Sequence, residues 1–595
     1  MRTQQVITSF SSGQISPLTE GRVDTTQYQN SCRILQNFIV SARGGVRRRQ
    51  GAHYIAQTKD GGPARLIPFV FNRDQSYIIE LGDKYARFYR DDSILLEGDT
   101  RIAPDKYGDT LHRAGLTDGP TPTAVGDAYE IVTPWDVDNI WDIQFAQAND
   151  VLVMVHPAYP TKTLSRYGAT DWRIEDPAWV DDPWTAETGY PQTVAFFQQR
   201  LWFGGSPTKP QTLWASRVGD FYKFTLSADP DEIAPDDALE LTLASYTQEK
   251  VTWLESGQVL LIGTTGSEQR LSADQYISVN NLPNIARTSS YGSRNIMPVN
   301  IGKLAVFIQG SGRQVRSYSQ NTRSVIEQYI SQDLAWFAED ITDTGVIAQA
   351  YELVPDSVLW QVRADGELIS MTHDPSIDEE GFGTLGWAIH PTDGDVVSVC
   401  TIPHFTADET WLVTKRNDTY CVEYMDTSVY TDSCLTIPPD NTDSLAGVGG
   451  LDHLEGKEVQ VVVDGGVQAN KTVTGGQILF DLPGTQAEVG LPYVSTLETT
   501  PHNDGSQGGT NLGSSQRWAH IWVKLVDSAL PLINGQRPAT RSPGTPMGTA
   551  ESIQSGDFDV QDLGWDKYGT ITIVQDIPKP TQVVALYGVY NSDTG

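Results

Sequence analysis

The chain has 595 residues, a length that suggests roughly three or four domains, or one large repeat body with appendages. Its 42 Lys+Arg against 75 Asp+Glu leave a formal net charge of −33, which argues against a protein that grips a phosphate backbone or docks on an anionic membrane. Hydrophobic residues make up 39%, with 15 Trp, 24 Tyr and 17 Phe, enough apolar area for sizeable cores, so disorder is excluded as a description of the whole.

The N-terminal residues Met1 to Phe10 are polar and lack an apolar signal core. No apolar run reaches the ~18 residues of a membrane span. Strand patterning begins at Arg65, where RLIPFVFNRDQSYIIELGDKYARFYRDDSILLEG alternates short β-rich runs with polar turns. The same texture returns at 140–172, 193–224, 251–271, 303–318, 348–371 and 396–424. These make about seven antiparallel meanders over residues 65–426, at a spacing of roughly 50 residues, the texture of a β-propeller. The expected fold class is therefore mainly β: a propeller-like body of antiparallel meanders with a small C-terminal β-barrel or sandwich.

Three stretches sit outside that rhythm. Residues 1–60 are rich in Gly, Arg and Gln and read as an arm that needs a partner surface. Residues 100–135 and 174–192 read as loops or insertions. One helix is expected, over Ser331–Ile341, with Ser331 as cap and Leu334, Phe337 and Ile341 on one face. The expected body spans 61–440. A separate small β domain follows at 441–498, with hairpin turns at Asp464-Gly465-Gly466 and Gly475-Gly476. Residues 499–595 form a tip region with two long polar loops, 499–515 and 535–554.

Chemistry-bearing motifs are scarce. Phosphate-loop, dinucleotide, zinc-protease and nucleophile-elbow patterns are all missing, and the nine histidines are scattered. The cysteines, Cys32, Cys400, Cys421 and Cys434, form no metal-ligand spacing and read as reduced thiols of a non-secreted, soluble protein. No catalytic set, metal or cofactor is expected. The acidic run Asp229, Asp231, Glu232, Asp236, Asp237, Glu240 lacks calcium-loop spacing and is broken by Pro230 and Pro235, so it reads as a solvated loop. The one basic cluster, Arg43, Arg47, Arg48 and Arg49, leaves two readings open: a nucleic-acid arm, or arginines that meet carboxylates of a neighbouring subunit or protein.

The N-terminal segment carries a resemblance. Phe10, Gly13, Ser16-Pro17, Gly21-Arg22, Asp24, Tyr28, Asn37, Gly44-Gly45, Arg48-Arg49 and Gly51, followed by Arg65–Phe69, are similar to the opening of the tail nozzle proteins of short-tailed bacteriophages, the tail tubular protein B family. Residues 196–224, 236–268, 357–372 and 450–465 resemble the same family in the same order. The resemblance implies a non-enzymatic virion protein, assembled in the host cytoplasm as a homo-hexamer below a tail adaptor protein, with propellers around a channel for double-stranded genome DNA. Tail fibres or spikes, and the host envelope at the tip, are further expected partners. On this view Arg22, Arg43, Arg47, Arg48 and Arg49 are adaptor or subunit contacts, and Asp229, Asp231, Glu232, Asp236 and Asp237 are channel or loop-tip candidates. The alternative is a tailspike-like protein that binds or cleaves glycans.

Overall fold

The structure, a computed structural model, describes residues 2–73, 75–97, 128–226, 234–245, 247–273, 275–320, 329–374, 384–404, 407–437, 444–502, 515–539, 550–561 and 564–592. Much of the 100–135 stretch and of both C-terminal loops therefore lies outside the described residues.

Seven antiparallel sheets of four strands follow one another along the chain and form a propeller. In the first six blades each sheet is one continuous meander: 65–94, 144–175, 193–242, 251–289, 299–333 and 346–390. Runs such as VLVMVH at Val151–His156 are near-continuously apolar and buried on both faces, because each blade is sandwiched between two neighbours. The hairpins close on tight left-handed turns, as at Gln198-Gln199 (φ 47° and 59°) and Asn417-Asp418 (φ 47° and 64°). That turn geometry matches the right-handed twist of the strands it joins.

Apolar cores lie between the blades. Trp172 of the second blade packs on Phe69, Tyr77 and Phe88 of the first, with ring centroids 4.7, 5.1 and 4.5 Å away. Trp253 and Phe307 join the fourth and fifth blades, and Trp360 helps to join the sixth and seventh. Leu66, Ile78 and Tyr89 of the first blade share a core with Cys400, Trp411 and Val422 of the seventh. That last core makes the array a ring.

The seventh blade takes only three strands from its own stretch: Asp395–His404, Ala407–Arg416 and Thr419–Asp426. Its fourth strand is Gly51–Gln57, antiparallel to Thr419–Asp426 from Asp426↔Gly51 to Cys421↔Gln57. The next strand along the chain, Arg65–Asn72, is the inner strand of the first blade. Gly51 is required here, since a Cβ at that position would sit 2.2 Å from the Thr431 carbonyl oxygen.

The reading of residues 1–60 as an arm awaiting a partner surface is thereby corrected: the segment is built into its own chain. Besides closing the ring, it enters a β-sandwich with the C-terminal strands. One sheet joins Phe38–Val40, Val46–Arg48, Gln582–Ser592, Gln516–Ser528 and Gln554–Gln561, with Arg2–Ile7 on Gln582–Ser592. The other continues the sixth blade through Gly13–Gln14, Ser31–Gln36, Ser495–Thr499, Thr572–Gln575 and Leu532–Ile533. Phe10, Leu35, Phe38, Trp518, Ile521, Ile573, Leu586 and Tyr590 are buried in their shared core. The small β domain continues the seventh blade instead, through Asp432–Ile437, Ala487–Leu491 and Glu458–Val463. Its core holds Val459, Val461, Leu454 and Val489.

The helix expected over 331–341 does not form. Tyr329–Asp333 is the outer strand of the fifth blade, and only Glu339–Thr342 makes a short 3-10 turn. Pairing with Val315–Gln320 outweighs the helical periodicity, and Leu334, Ala338 and Ile341 are still buried, between blades five and six. Removing residues 1–60 should therefore abolish the cooperative thermal transition or the solubility of the chain, because it strips the closing strand and one wall of the sandwich. A truncated chain that melts cooperatively near the full-length temperature would refute the closure.

Candidate functional site

The arginines of the basic cluster are sorted by the turn at 41–45. Arg43 is exposed on it, whereas Val46–Arg48 is a strand paired with both Phe38–Val40 and the start of Gln582–Ser592. That pairing turns Arg47, Arg48 and Arg49 inward. The Arg47 Nε lies 2.6 Å from Asp356 Oδ2, and its Nη1 donates to Gln50. Arg48, 2% exposed, has no carboxylate partner in contact. It donates to the backbone carbonyls of Tyr493 (2.8 Å), Ile577 and Lys579, and its guanidinium lies 4.4 Å over the Tyr493 ring. Burial pulls its pKa down from the usual arginine value.

Arg49 meets Asp432 through two parallel bonds of 2.8 and 2.6 Å, and its Nε donates to Asn37 Oδ1 at 2.7 Å. Burial opposes charge on both partners, but their mutual attraction outweighs it, raising Arg49 and lowering Asp432. Thr392 donates to Asp432 and accepts from Arg416, which in turn grips Glu423 at 2.9 and 3.1 Å. The result is a buried relay, Arg49–Asp432–Thr392–Arg416–Glu423, that ties the N-terminal segment to the last blade. The expectation that Arg47, Arg48 and Arg49 contact the adaptor or another subunit is corrected by this burial: their acceptors are in the same chain. Arg47 and Arg49 do meet carboxylates, but those of Asp356 and Asp432 in the same chain rather than of a neighbouring subunit or protein. Arg22 and Arg43 stay on the surface, Arg22 paired with its neighbour Asp24.

Three other residues of the N-terminal pattern, Gly13, Tyr28 and Asn37, serve the same junction. Gly13 (φ +60°) runs so close to Trp387 that a Cβ would lie 2.3 Å from its carbonyl oxygen. The Tyr28 hydroxyl donates to Pro501 O, and the Asn37 amide to Pro391 O and Val494 O.

Of the acidic candidates, Asp229, Asp231 and Glu232 lie outside the described residues. Asp236 is paired with Arg217 at 2.7 Å, and Asp237 accepts from the Ala234 N–H at 2.8 Å. Both belong to the connection into Leu239–Thr242, the outermost strand of the third blade. They sit at the propeller's perimeter, away from its axis. Among the described residues no group of three acids, histidines or cysteines is placed to hold a metal ion.

The propeller axis holds a cavity of about 410 Å³. Its wall comes from inner strands, with Pro68, Phe145, Val299, Ile347 and Val399 prominent. Polar crossbraces close the axis around it. The Gln144 amide donates to Thr252 O and to Asn295 Oδ1, Asn295 donates to Asp142, and Arg65 donates to the carbonyls of Ile140, Trp141 and Ile143. Such a cavity is small-molecule sized; a duplex whose major groove alone is ~12 Å wide cannot thread it.

A second titratable group lies at the seam between blades seven and one, which sequence spacing does not reveal. His53 Nε2 lies 3.1 Å from Asp426, and His404 Nδ1 lies 2.7 Å from Glu409. Asp92 stands beside them, and its Oδ1 is buried with no hydrogen-bond partner among the described residues. Burial, reinforced by Glu409, pushes its carboxyl up to about 6.

No protein-family model matches the chain, and no curated protein matches it. Among solved structures, the β-propeller domain of Myceliophteria thermophila Cps50 (Swd1) is 10% identical, covering 63% of this chain and all of that one at a TM-score of 0.36. The WD40 domain of Neurospora crassa Pan2 is 10% identical over 64% of this chain and 95% of its own, at 0.32. The WD40 propeller of Doa1 is 11% identical over 64% and 98%, at 0.34. The propeller assignment rests on the sheet order above rather than on these likenesses.

Two outcomes follow from the buried groups. Arg49→Met should cost about 3–5 kcal/mol in urea unfolding, because Asp432 is left charged and unpaired. Adding Asp432→Leu should recover part of that loss, and a double variant no better than the single one would refute the pairing. At Asp92 the folded-state pKa lies above the unfolded ~3.9. Its contribution is thus fully present at low pH and is lost as pH rises from about 4 through about 6. Asp92→Asn should accordingly stabilise the chain by about 2–3 kcal/mol at pH 8 and leave it nearly unchanged at pH 4. Equal effects at both pH values would refute a buried charge at Asp92.

Proposed function

We propose that this chain is a structural protein of a virion tail, a nozzle assembled as a homo-hexamer around a channel for double-stranded DNA. The observation that carries the reading is the ordered set of nozzle-like segments across residues 1–493, opening with Phe10 to Gly51. The geometry supports it in a specific way. The N-terminal pattern residues that the structure buries are those that hold propeller, sandwich and small β domain together, so the pattern describes a scaffold rather than an active centre.

The propeller axis is braced and too narrow for a duplex, so a DNA path requires several copies around a common axis. Six chains at −33 each carry about −200, a field that repels phosphates at close range within the ~8 Å screening length of physiological salt. DNA then slides without adhering. The adaptor sits at one end of the tube; tail fibres or spikes and the host envelope are the remaining partners. Arg22 and Arg43, exposed and outside the buried relay, are the cluster members left to face the adaptor or a neighbouring copy.

Native mass spectrometry of the full chain, alone and with the adaptor, tests the reading: a hexamer is expected and a trimer would overturn it. The double variant Arg22→Glu/Arg43→Glu should leave the melting temperature within a degree or so, since exposed charges contribute ~0–1 kcal/mol, while weakening assembly. Normal assembly of that variant would remove both residues from the interface.

A further inference from the structure

The C-terminal end of the sandwich carries a second cavity, of about 570 Å³. It lies between the start of strand Gln516–Ser528, the turn after Leu532–Ile533 and the segment 564–572. Its wall differs in kind from the axial cavity. It holds the exposed Trp565 and the buried Trp518, and otherwise amides, hydroxyls, a guanidinium, the Asp566 carboxylate and glycine backbone. Trp565 is 54% exposed, in a chain whose other tryptophans are mostly buried in blade cores.

The platform is held rigidly. Gln516 and Asp566 exchange two backbone hydrogen bonds of 2.7 Å. The Asp566 carboxylate accepts from the N–H groups of Lys567, Tyr568 and Gly569, fixing the turn that presents Trp565. Arg517 lies 5.6 Å from the indole centroid, and its Nε is buried without a partner among the described residues. Asn534 accepts from Thr572 N–H at 2.6 Å, which orients its amide NH₂. That NH₂, the Gln536 amide and the Thr570 hydroxyl are not engaged elsewhere among the described residues and border the cavity.

An exposed indole with convergent amide, hydroxyl and guanidinium donors on a fixed frame matches one ligand chemistry. A pyranose ring has an apolar C–H face that packs on an aromatic ring and a rim of hydroxyls that needs paired donors and acceptors. An apolar peptide anchor would need apolar walls, which are missing around Trp565. A phosphate-bearing ligand would need more than one cation, whereas the lining among the described residues offers Arg517 and the Asp566 carboxylate.

We propose that this pocket binds a saccharide, with Trp565 as the stacking platform and Asn534, Gln536 and Arg517 as hydroxyl partners. The inference is independent of the nozzle reading, because every residue it names belongs to one chain. A cavity of this size accommodates one or two sugar rings, so single-sugar affinity is expected on the order of 1 mM.

Saturation-transfer NMR on the full-length protein tests it, with glucose, galactose, N-acetylglucosamine, rhamnose and a heptose-containing lipooligosaccharide core as probes. Transfer to the ring C–H protons of at least one probe is expected. Trp565→Ala should weaken that binding by about tenfold or more, whereas Trp565→Phe keeps most of it and both melt like the parent. Loss on Arg517→Ala for an acidic core but not for a neutral sugar would place the guanidinium on a carboxylate. No transfer to any probe, or binding unchanged in both Trp565→Ala and Asn534→Ala, would overturn the proposal. Sugar binding by a sample that native mass spectrometry shows to be no hexamer would leave it standing and remove the nozzle.

Discussion

The Arg49–Asp432 pair is the constraint around which the rest of the molecule is arranged. Two charges leave water and meet in parallel at 2.8 and 2.6 Å, a geometry that offsets a desolvation cost of several kcal/mol per ion only when every other polar atom is also satisfied. Here they are: Asn37 and Gln50 take the remaining arginine donors, and Thr392 takes the second share of Asp432. The pair therefore specifies position more than it adds stability. Arg49 directly precedes the strand that closes the propeller, and Asp432 opens the strand that begins the small β domain. Fixing one against the other sets the register in which the chain's beginning joins its later parts.

That closure decides what kind of object the chain is. A propeller whose last blade lacks an outer strand exposes the edge of Thr419–Asp426, a template for unwanted pairing. Filling the edge with Gly51–Gln57 removes the hazard and ties the folding of the ring to a segment over 350 residues distant in sequence. Such long-range pairing is slow to form, because loop closure precedes the contacts that reward it. The seam carries Trp411, Tyr89 and Ile78 in a dry core, yet it also carries His53, Asp426, His404, Glu409 and Asp92. The joint that brings the two distant stretches together is thus also one that carries titratable groups.

The repeat was legible because it is local. Runs such as RLIPFVFN and VLVMVH are short and apolar and stop at turn residues, so seven meanders can be placed from the sequence alone. The closing strand was not legible, since GAHYIAQ alternates no better than its surroundings and its partner is remote. The arginines misled for a related reason. A run of cations reads as surface by default, and nothing local announces that Arg48 ends on the carbonyls of Tyr493 and Ile577. The one available signal was the company it keeps: Val46 before and Gly51-Ala52 after. At Ser331–Ile341 two periodicities compete, and strand pairing wins for the first residues because the outer edge of the fifth blade needs it. The saccharide pocket has no sequence signature, because its residues come from three separate stretches of the chain.

The cations placed inside the chain act on its backbone. Arg48 and Arg65 are buried on backbone carbonyls, and so is Arg200, which donates to Ser216 O and Asp237 O. These charges are screened from solvent by protein and sit against carbonyl dipoles, not against carboxylates. Buried acids offset them in the charge seen from outside: Glu80, Glu249, Glu268, Glu352, Glu423 and Asp432 are buried as well. What the inward arginines supply is position. Each fixes the backbone of separate segments, as Arg48 does for Tyr493 and Ile577, and Arg65 for Ile140 and Ile143, so cations that a local reading assigns to the surface serve instead as joints of the scaffold.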